Sequence, residues 1–147
     1  MFETIIEVGE GDIDMLGHAS NVAFVRWIQD VAIAHSTSVG LDVAAYQDLG
    51  ACFVVRRHEV DYLRPALRGD ALVLRTWIAS HAAAKCERVT EIVRVSDGTS
   101  LARATTIWGY VEVMTGRPAR IPDSIRVAFG FPPRSSTRPP PPATEAS

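Results

Sequence analysis

The stretch NVAFVRWIQDVAIAHSTSVG, residues 21–40, contains no proline and no glycine before its last position. This pattern predicts a helix over residues 22–39, since Gly40 suits the position just past a helix C-terminus. The polar side chains of the segment fall on one narrow stripe, and the rest of its circumference is apolar. A helix of this kind is expected to be enclosed over most of its surface.

Five segments with β-like sequence lie on either side of this helix. Short connections join the later segments, and Asp97-Gly98 is a strong hairpin signal, so the strands should form an antiparallel sheet. The sheet must curl around the helix to bury it, which predicts a two-layer α+β domain with one long central helix. The predicted strands are residues 2–8, 52–63, 71–79, 85–95 and 100–113.

Composition points to a single domain. The chain has 147 residues, 47% of them hydrophobic, and a formal net charge of -2, which argues against nucleic acid or an anionic membrane as a partner. We expect the folded unit to span residues 1–131 and the proline-rich residues 132–147 to form a disordered tail. No signal peptide or transmembrane pattern stands out, so a cytoplasmic protein is the expectation.

Several side chains bear on assembly and redox state. Trp77, Trp108 and Tyr110 are expected on the outer face of the sheet, where they would form part of a subunit interface in a homodimer or a dimer of dimers. Cys52 and Cys86 lie far apart without metal-ligand spacing, so we expect two reduced thiols and no zinc site.

A polar cluster, GDIDMLGHASN at residues 11–21, stands directly before the predicted helix. A helix N-terminus carries unpaired amides and about half a positive charge, so it stabilises negative charge. With Ser20 or Asn21 as N-cap, the Gly17 and His18 amides could hold an oxyanion, an effect worth about 3–4 kcal/mol per donor. Asp14 could then attack a thioester carbonyl or activate a water, and His18 and Asn21 could orient that water.

Simpler interpretations of the same cluster stay open. Asp, Gly, Ser and Asn before a helix are also ordinary turn and capping residues. A metal site built from Asp12, Asp14 and His18 lacks convincing ligand spacing, so no metal is predicted.

Four segments together resemble one known family. They are the D-x-x-G-H-x-x-N pattern at residues 14–21, the start of the helix at 21–27, VVRRHEVDYLRPALRGD at 54–70 and TGRPARIP at 115–122. Over about residues 2–125 the sequence resembles the hot-dog-fold acyl-CoA thioesterases of the 4-hydroxybenzoyl-CoA thioesterase type. The resemblance implies a long helix wrapped by an antiparallel sheet, and hydrolysis of an acyl-CoA or acyl-carrier-protein thioester to a free acid and a thiol.

The resemblance also assigns roles within the polar cluster. It implies that Asp14 is the catalytic carboxylate and that the oxyanion donors lie at Gly17 and His18. Plant acyl-carrier-protein thioesterases share a similar segment, in which Leu16 here replaces an asparagine. Gln29 stands where a glutamate is common, which leaves the partner of Asp14 open.

Substrate binding follows from the same resemblance. Coenzyme A would be part of the substrate, so no separate cofactor is expected. Its phosphates need positive charge, and the candidates near a subunit surface are Arg56, Arg57, Lys85 and Arg88. Each of these could equally be a solvated strand residue.

Two other functions fit the same fold. A hot-dog hydratase or dehydratase would also use an aspartate and a histidine, but in a D-x-N-P-x-H type of segment. A non-catalytic acyl-thioester binding module would normally lack the carboxylate that Asp14 supplies.

Overall fold

The computed structural model describes residues 1–133 of the chain. All five predicted strands and the predicted helix are present, each within a few residues of its predicted limits, and two short helices are added. In chain order the elements are β1 (Phe2–Glu7), α1 (Asn21–Ser38), α2 (Val43–Leu49), β2 (Ala51–Tyr62), β3 (Ala71–His81), β4 (Lys85–Arg94), β5 (Ser100–Glu112) and α3 (Asp123–Phe129).

The strands form one antiparallel sheet in the order β1-β3-β4-β5-β2, so β1 and β2 are its edges. Consecutive strands β3, β4 and β5 are neighbours, as expected for hairpin connections. The turn between β4 and β5 carries Gly98 with φ +69°, but it spans residues 95–99 and is longer than a two-residue turn. The predicted α+β class with an antiparallel sheet is confirmed.

Helix α1 lies against one face of the sheet through the side chains that its 3.6-residue period brings to one side. Phe24, Trp27, Ile28 and Val31 are buried in the main core. They share this core with side chains of the sheet, notably Leu72, Leu74, Ile92 and Leu101.

The opposite side of α1 is open in the single chain. Val22 is 69% exposed and Ile33 is 53% exposed, although both are large and apolar. The expected enclosure over most of the circumference is therefore not reached within one chain.

A second, smaller core fills the far end of the sheet. The short helices α2 and α3 help to form it, and it holds Ala51, Tyr110, Ile121 and Ile125. Tyr110 is 2% exposed, and the indole nitrogen of Trp108 is also buried. The expected place of these two aromatic residues on the outer face was wrong, because even-numbered positions of β5 face the helices.

The part of the chain that the structure describes contains no helix long and apolar enough to cross a membrane. Both cysteines are free, as expected. Most of the predicted tail, residues 134–147, lies outside the described residues.

Candidate active site

The polar cluster before α1 folds into a tight hairpin. Ile13 and Ala19 form an antiparallel bridge, and the Asp14 amide donates to the His18 carbonyl at 2.8 Å. The Gly17 amide donates to the Asp14 carbonyl at 3.1 Å, which closes the turn. Gly17 has φ +81°, a conformation that glycine adopts without strain. The hairpin therefore places Asp14 and His18 side by side at its base.

The Asp14 carboxylate is held by one of its two oxygens. Asp14 Oδ1 accepts hydrogen bonds from the Leu16 amide at 2.8 Å and the His18 amide at 3.4 Å. Asp14 Oδ2 has no hydrogen-bond partner within residues 1–133, and the side chain is exposed. One oxygen thus fixes the orientation of the carboxylate while the other stays available.

The first turn of α1 begins beside this carboxylate. Ser20 is the N-cap, and its Oγ accepts from the Ala23 amide at 3.1 Å, which confirms one of the two predicted caps. The Ser20 amide donates to the Asp12 carbonyl at 2.9 Å. In the described chain no acceptor contacts the amides of Asn21 and Val22. These two donors form the positive end of the helix.

An ion pair ties the hairpin to the helix. The Asp12 carboxylate accepts a hydrogen bond from the Arg26 guanidinium, one turn into α1. This contact gives Asp12 a positioning role between loop and helix.

Three of the four predicted catalytic residues, Asp14, His18 and Asn21, line one groove of about 310 Å³. Gly17 does not line it. The opposite wall comes from the end of β2 and the residues after it, including Tyr62 and Arg64. The remaining lining residues are Ala19, Phe24, Leu63 and Pro65.

Tyr62 and Arg64 were not among the predicted site residues. The Tyr62 ring meets the ring of Phe24 edge-on, with centroids 5.5 Å apart, so the wall is anchored to α1. The Arg64 side chain is exposed, and its Nη1 donates to the Leu63 carbonyl at 2.7 Å. The signal that could have found them was the family-like segment 54–70, which contains both residues.

Two of the predicted phosphate-binding residues lie together on the sheet face turned away from α1. Lys85 pairs with Gly109 across β4 and β5, and the Arg56 side chain packs over the same glycine. A Cβ at Gly109 would come within 2.9 Å of Arg56 Nε, so the absence of a side chain there leaves room for Arg56. Arg57 is exposed and forms an ion pair with Glu59 at 3.3 Å.

Arg88 does not lie on a solvent-exposed surface, contrary to expectation. It is only 4% exposed, because even-numbered positions of β4 face the helices. Its Nη1 donates to His35 Nδ1 at 2.9 Å and to Thr76 Oγ1 at 3.0 Å. An enclosed guanidinium cannot reach the phosphates of a ligand bound at the surface, so Arg88 leaves the predicted set.

Burial shifts the pKa values of Arg88 and of two groups near it. Burial, together with the nearby Arg88 charge, lowers the pKa of His35 to about 4, so the ring is neutral at pH 7. Burial lowers the pKa of Arg88 to about 10. Burial raises the pKa of Cys86 to about 11, so this thiol is protonated and is a poor nucleophile.

Comparison with known proteins decides the family. The family model of the Thioesterase-like superfamily matches residues 8–129, which includes the hairpin, α1 and the whole sheet except β1. The chain belongs to the Thioesterase-like superfamily. This membership confirms the expected family and enzyme class, and it supports thioester hydrolysis as the general reaction.

A curated member of similar sequence is a chloroplastic palmitoyl-acyl carrier protein thioesterase from Gossypium hirsutum, 27% identical over 114 residues. The match covers 74% of this thioesterase-like chain and 28% of the plant protein, so the chain spans less than a third of that relative's length.

Solved structures share the fold. A 1,4-dihydroxy-2-naphthoyl-CoA thioesterase from Synechocystis superposes with a TM-score of 0.81 at 21% identity, covering 88% of this chain and 95% of the other. A Staphylococcus aureus protein solved in complex with CoA superposes with a TM-score of 0.83 at 17% identity, covering 92% and 89%. These similarities confirm the hot-dog fold implied by the sequence.

Proposed function

We propose that this protein hydrolyses an acyl-CoA or acyl-carrier-protein thioester to a free carboxylic acid and a thiol, with Asp14 as the catalytic carboxylate. The observation that carries the proposal is the shared groove: the Asp14 carboxylate and Asn21, at the open N-terminus of α1, line the same space. One group can attack or deprotonate while the other stabilises the negative charge that develops on the carbonyl oxygen.

The oxyanion donors need a revised position. The Gly17 amide already donates to the Asp14 carbonyl, and the His18 amide is directed at Asp14 Oδ1. The amides of Asn21 and Val22 have no acceptor in the described part of the chain, so we assign the oxyanion to them. The positive end of the α1 dipole adds to their effect.

The reaction then has two possible courses at Asp14. In one, Oδ2 takes a proton from a water whose oxygen attacks the thioester carbon, and the C–S bond breaks as the sulfur takes that proton from Asp14 and leaves as the thiol. In the other, Oδ2 itself attacks the thioester carbon and the C–S bond breaks to release the thiolate, which takes a proton from solvent. Water later cleaves the resulting mixed anhydride to the free acid and the Asp14 carboxylate. In both courses the His18 ring and the side-chain amide of Asn21, two residues that line the groove, would orient the water.

Substrate binding is proposed from charge. Arg64 lies in the wall of the groove, and Arg56 and Lys85 form a second basic site beside Gly109. Each can bind the phosphates that coenzyme A and the carrier-protein prosthetic group both contain. Arg57 is a weaker candidate because Glu59 already neutralises it. No cofactor beyond the substrate is needed.

Assembly and location are also proposals. The exposed apolar side chains on α1, Val22 and Ile33, favour a homodimer or a dimer of dimers in which a second copy covers this face. We expect the enzyme to work in the cytoplasm with a small-molecule or carrier-bound thioester as its partner.

The test is kinetic. Wild type, Asp14→Asn and the matched control Asp30→Asn, an exposed aspartate on α1, are assayed for thiol release on a panel of acyl-CoAs and acyl-carrier proteins. We expect Asp14→Asn to lower kcat by about 100-fold or more and Asp30→Asn to leave it unchanged. Equal rates for wild type and Asp14→Asn on every substrate would remove Asp14 from catalysis. Saturable binding without turnover by wild type would contradict hydrolysis altogether.

A single turnover in H₂¹⁸O can detect direct attack by Asp14. Direct attack by Asp14 deposits ¹⁸O in the protein carboxylate when the anhydride is cleaved at that carbon, and mass spectrometry of the Asp14 peptide detects it. Activation of water deposits ¹⁸O only in the released acid.

A further inference from the structure

A second cavity lies under the C-terminal half of α1, away from the groove at Asp14. It has a volume of about 130 Å³, is partly open to solvent, and is lined by residues of α1, α2, α3 and the strands β2 to β5. Most of its lining is apolar, with Phe53, Ile78 and Phe129 among the largest side chains. An apolar cavity of about 150 Å³ holds a benzene molecule, so this one accepts a group close to the size of an aromatic ring.

Two buried nitrogen atoms at this cavity have no acceptor. Arg88 and Trp108 both line it, and neither Arg88 Nε nor Trp108 Nε1 has a hydrogen-bond partner among residues 1–133. The rest of the Arg88 guanidinium is anchored, since Nη1 donates to His35 and Thr76. A buried donor without an acceptor is destabilising, and such donors are rare in native proteins.

The cavity also holds a positive charge without a counter-charge. No carboxylate of residues 1–133 forms an ion pair with Arg88. His35 is neutral at pH 7, and the Tyr46 hydroxyl is engaged with Ser36 Oγ at 2.9 Å. The lowered pKa of Arg88 reflects the same deficit, because burial disfavours the cation and no anion offsets it. A water could accept from both donors but would leave the charge uncompensated.

We propose that this cavity binds a small carboxylate with a ring-sized apolar body, whose oxygens accept hydrogen bonds from Arg88 Nε and Trp108 Nε1. The carboxylate supplies both missing acceptors and the missing negative charge, and the ring fills the apolar lining. A hydrogen bond from a guanidinium nitrogen to a carboxylate is charge-assisted, so it is stronger than a hydrogen bond between neutral groups.

This site is separate from the proposed hydrolytic site. Its nearest lining residue on α1 is Ala32, eight residues beyond Phe24, the last residue of α1 that lines the groove, which at 1.5 Å per residue is about 12 Å along the helix. The core side chains Trp27, Ile28 and Val31 fill α1 between the two. The proposal therefore stands whether or not Asp14 hydrolyses thioesters.

The experiment measures binding of benzoate to the full chain at pH 7. Titration calorimetry gives the affinity, and NMR spectra of ¹⁵N-labelled protein report on the indole N–H groups. Benzamide, which has the same shape without the charge, is the matched ligand. Trp108→Phe keeps an aromatic ring and removes the N–H, while Trp77→Phe, at a tryptophan on the outer face of the sheet, is the matched variant. Arg88→Met removes the charge.

We expect saturable benzoate binding that shifts the Trp108 indole signal and leaves that of Trp77 unchanged. Benzamide should bind at least about tenfold more weakly, and Trp108→Phe should weaken benzoate binding about tenfold, as for loss of one hydrogen bond to a charged group. Arg88→Met should weaken binding about 100-fold or more. If Arg88→Met does not fold, the comparison of benzoate with benzamide and the comparison of Trp108→Phe with Trp77→Phe still test the proposal.

Three results would overturn the proposal. One is no binding of benzoate at millimolar concentration, another is equal binding of benzoate and benzamide, and the third is the same loss of affinity in Trp77→Phe and Trp108→Phe. None of these readouts involves a thioester, so they leave the proposed hydrolysis untouched.

Discussion

Replacement of His35 by asparagine is expected to make the protein less sensitive to acid. The His35 ring is 9% exposed, stacks on Phe2 with centroids 5.2 Å apart, and accepts a hydrogen bond from Arg88. Its pKa is lowered from 6.5 to about 4, first by burial and then by the Arg88 charge. Between about pH 4 and pH 6.5, His35 is therefore mostly neutral in the native protein and mostly protonated in the unfolded chain.

The sign and size of the effect follow from linkage. Well above pH 6.5 neither the folded nor the unfolded state binds the proton, so His35 does not change the free energy of unfolding there. As the pH falls from 6.5 towards 4, the unfolded chain gains a proton that the native state excludes, so the free energy of unfolding decreases. At about 1.4 kcal/mol per pH unit the total loss reaches about 3 kcal/mol, and about 2 kcal/mol of it occurs between pH 7 and pH 5.

The assay is urea unfolding of wild type and His35→Asn at pH 7, 6 and 5. The asparagine carbonyl can still accept from Arg88 but does not titrate, so wild type should lose about 2 kcal/mol more than the variant over this range. Burial also lowers the pKa of His58, but that contribution is common to both proteins and cancels. Parallel curves for wild type and His35→Asn would refute the reasoning.

Three further predictions concern the packing of the domain, and each is tested by urea unfolding. Ser20→Ala should cost about 1 kcal/mol, because the Ala23 amide loses its cap, and a loss below a few tenths would contradict the capping role. Ile92→Ala should cost about 2–5 kcal/mol in the main core, whereas Val95→Ala on the surface should cost less than about 0.5 kcal/mol; similar values would be inconsistent with the described core. Gly109→Ala should be destabilising by about 1–3 kcal/mol and Arg56→Ala should restore the loss, because the added methyl overlaps the Arg56 side chain; no rescue would place the strain elsewhere.

The sequence was informative about the fold where the periodic pattern is long. Helix α1 has eighteen residues and β5 has thirteen, and both were predicted within two residues of their ends. The helices α2 and α3 have seven residues each, too few for a helical period to be distinguished from a loop. Each ends at a glycine with positive φ, Gly50 and Gly130, and Asp42 caps the start of α2, but such short signals also occur in loops.

The local sequence pattern also could not show which face of a strand lies against the helices. β4 has apolar residues at both odd and even positions, such as Val89 and Ile92, so alternation alone could not tell which face Arg88 would occupy. The face is fixed by pairing with β3 and β5, which is tertiary information. Arg88 was consequently expected at the surface and is found in the interior.

The residues of the candidate site also differ in whether local sequence or tertiary structure brings them together. Asp14, His18 and Asn21 lie within eight residues, and the hairpin that brings them together is closed by local hydrogen bonds, so sequence could place them. Tyr62 and Arg64 reach the groove only because β2 ends beside the start of α1. The choice of oxyanion donor also depended on hydrogen bonds that the sequence does not reveal, since the Gly17 amide is already engaged.

The side chains packed beneath α1 differ between its N-terminal and C-terminal halves. Under its N-terminal half, Phe24, Trp27 and Ile28 pack into the main core, which holds the first turn of α1 against the groove at Asp14. Under its C-terminal half, His35 and Arg88 occupy space that apolar side chains would fill at lower cost in stability. A buried cation kept at such a cost is better explained by a ligand than by packing.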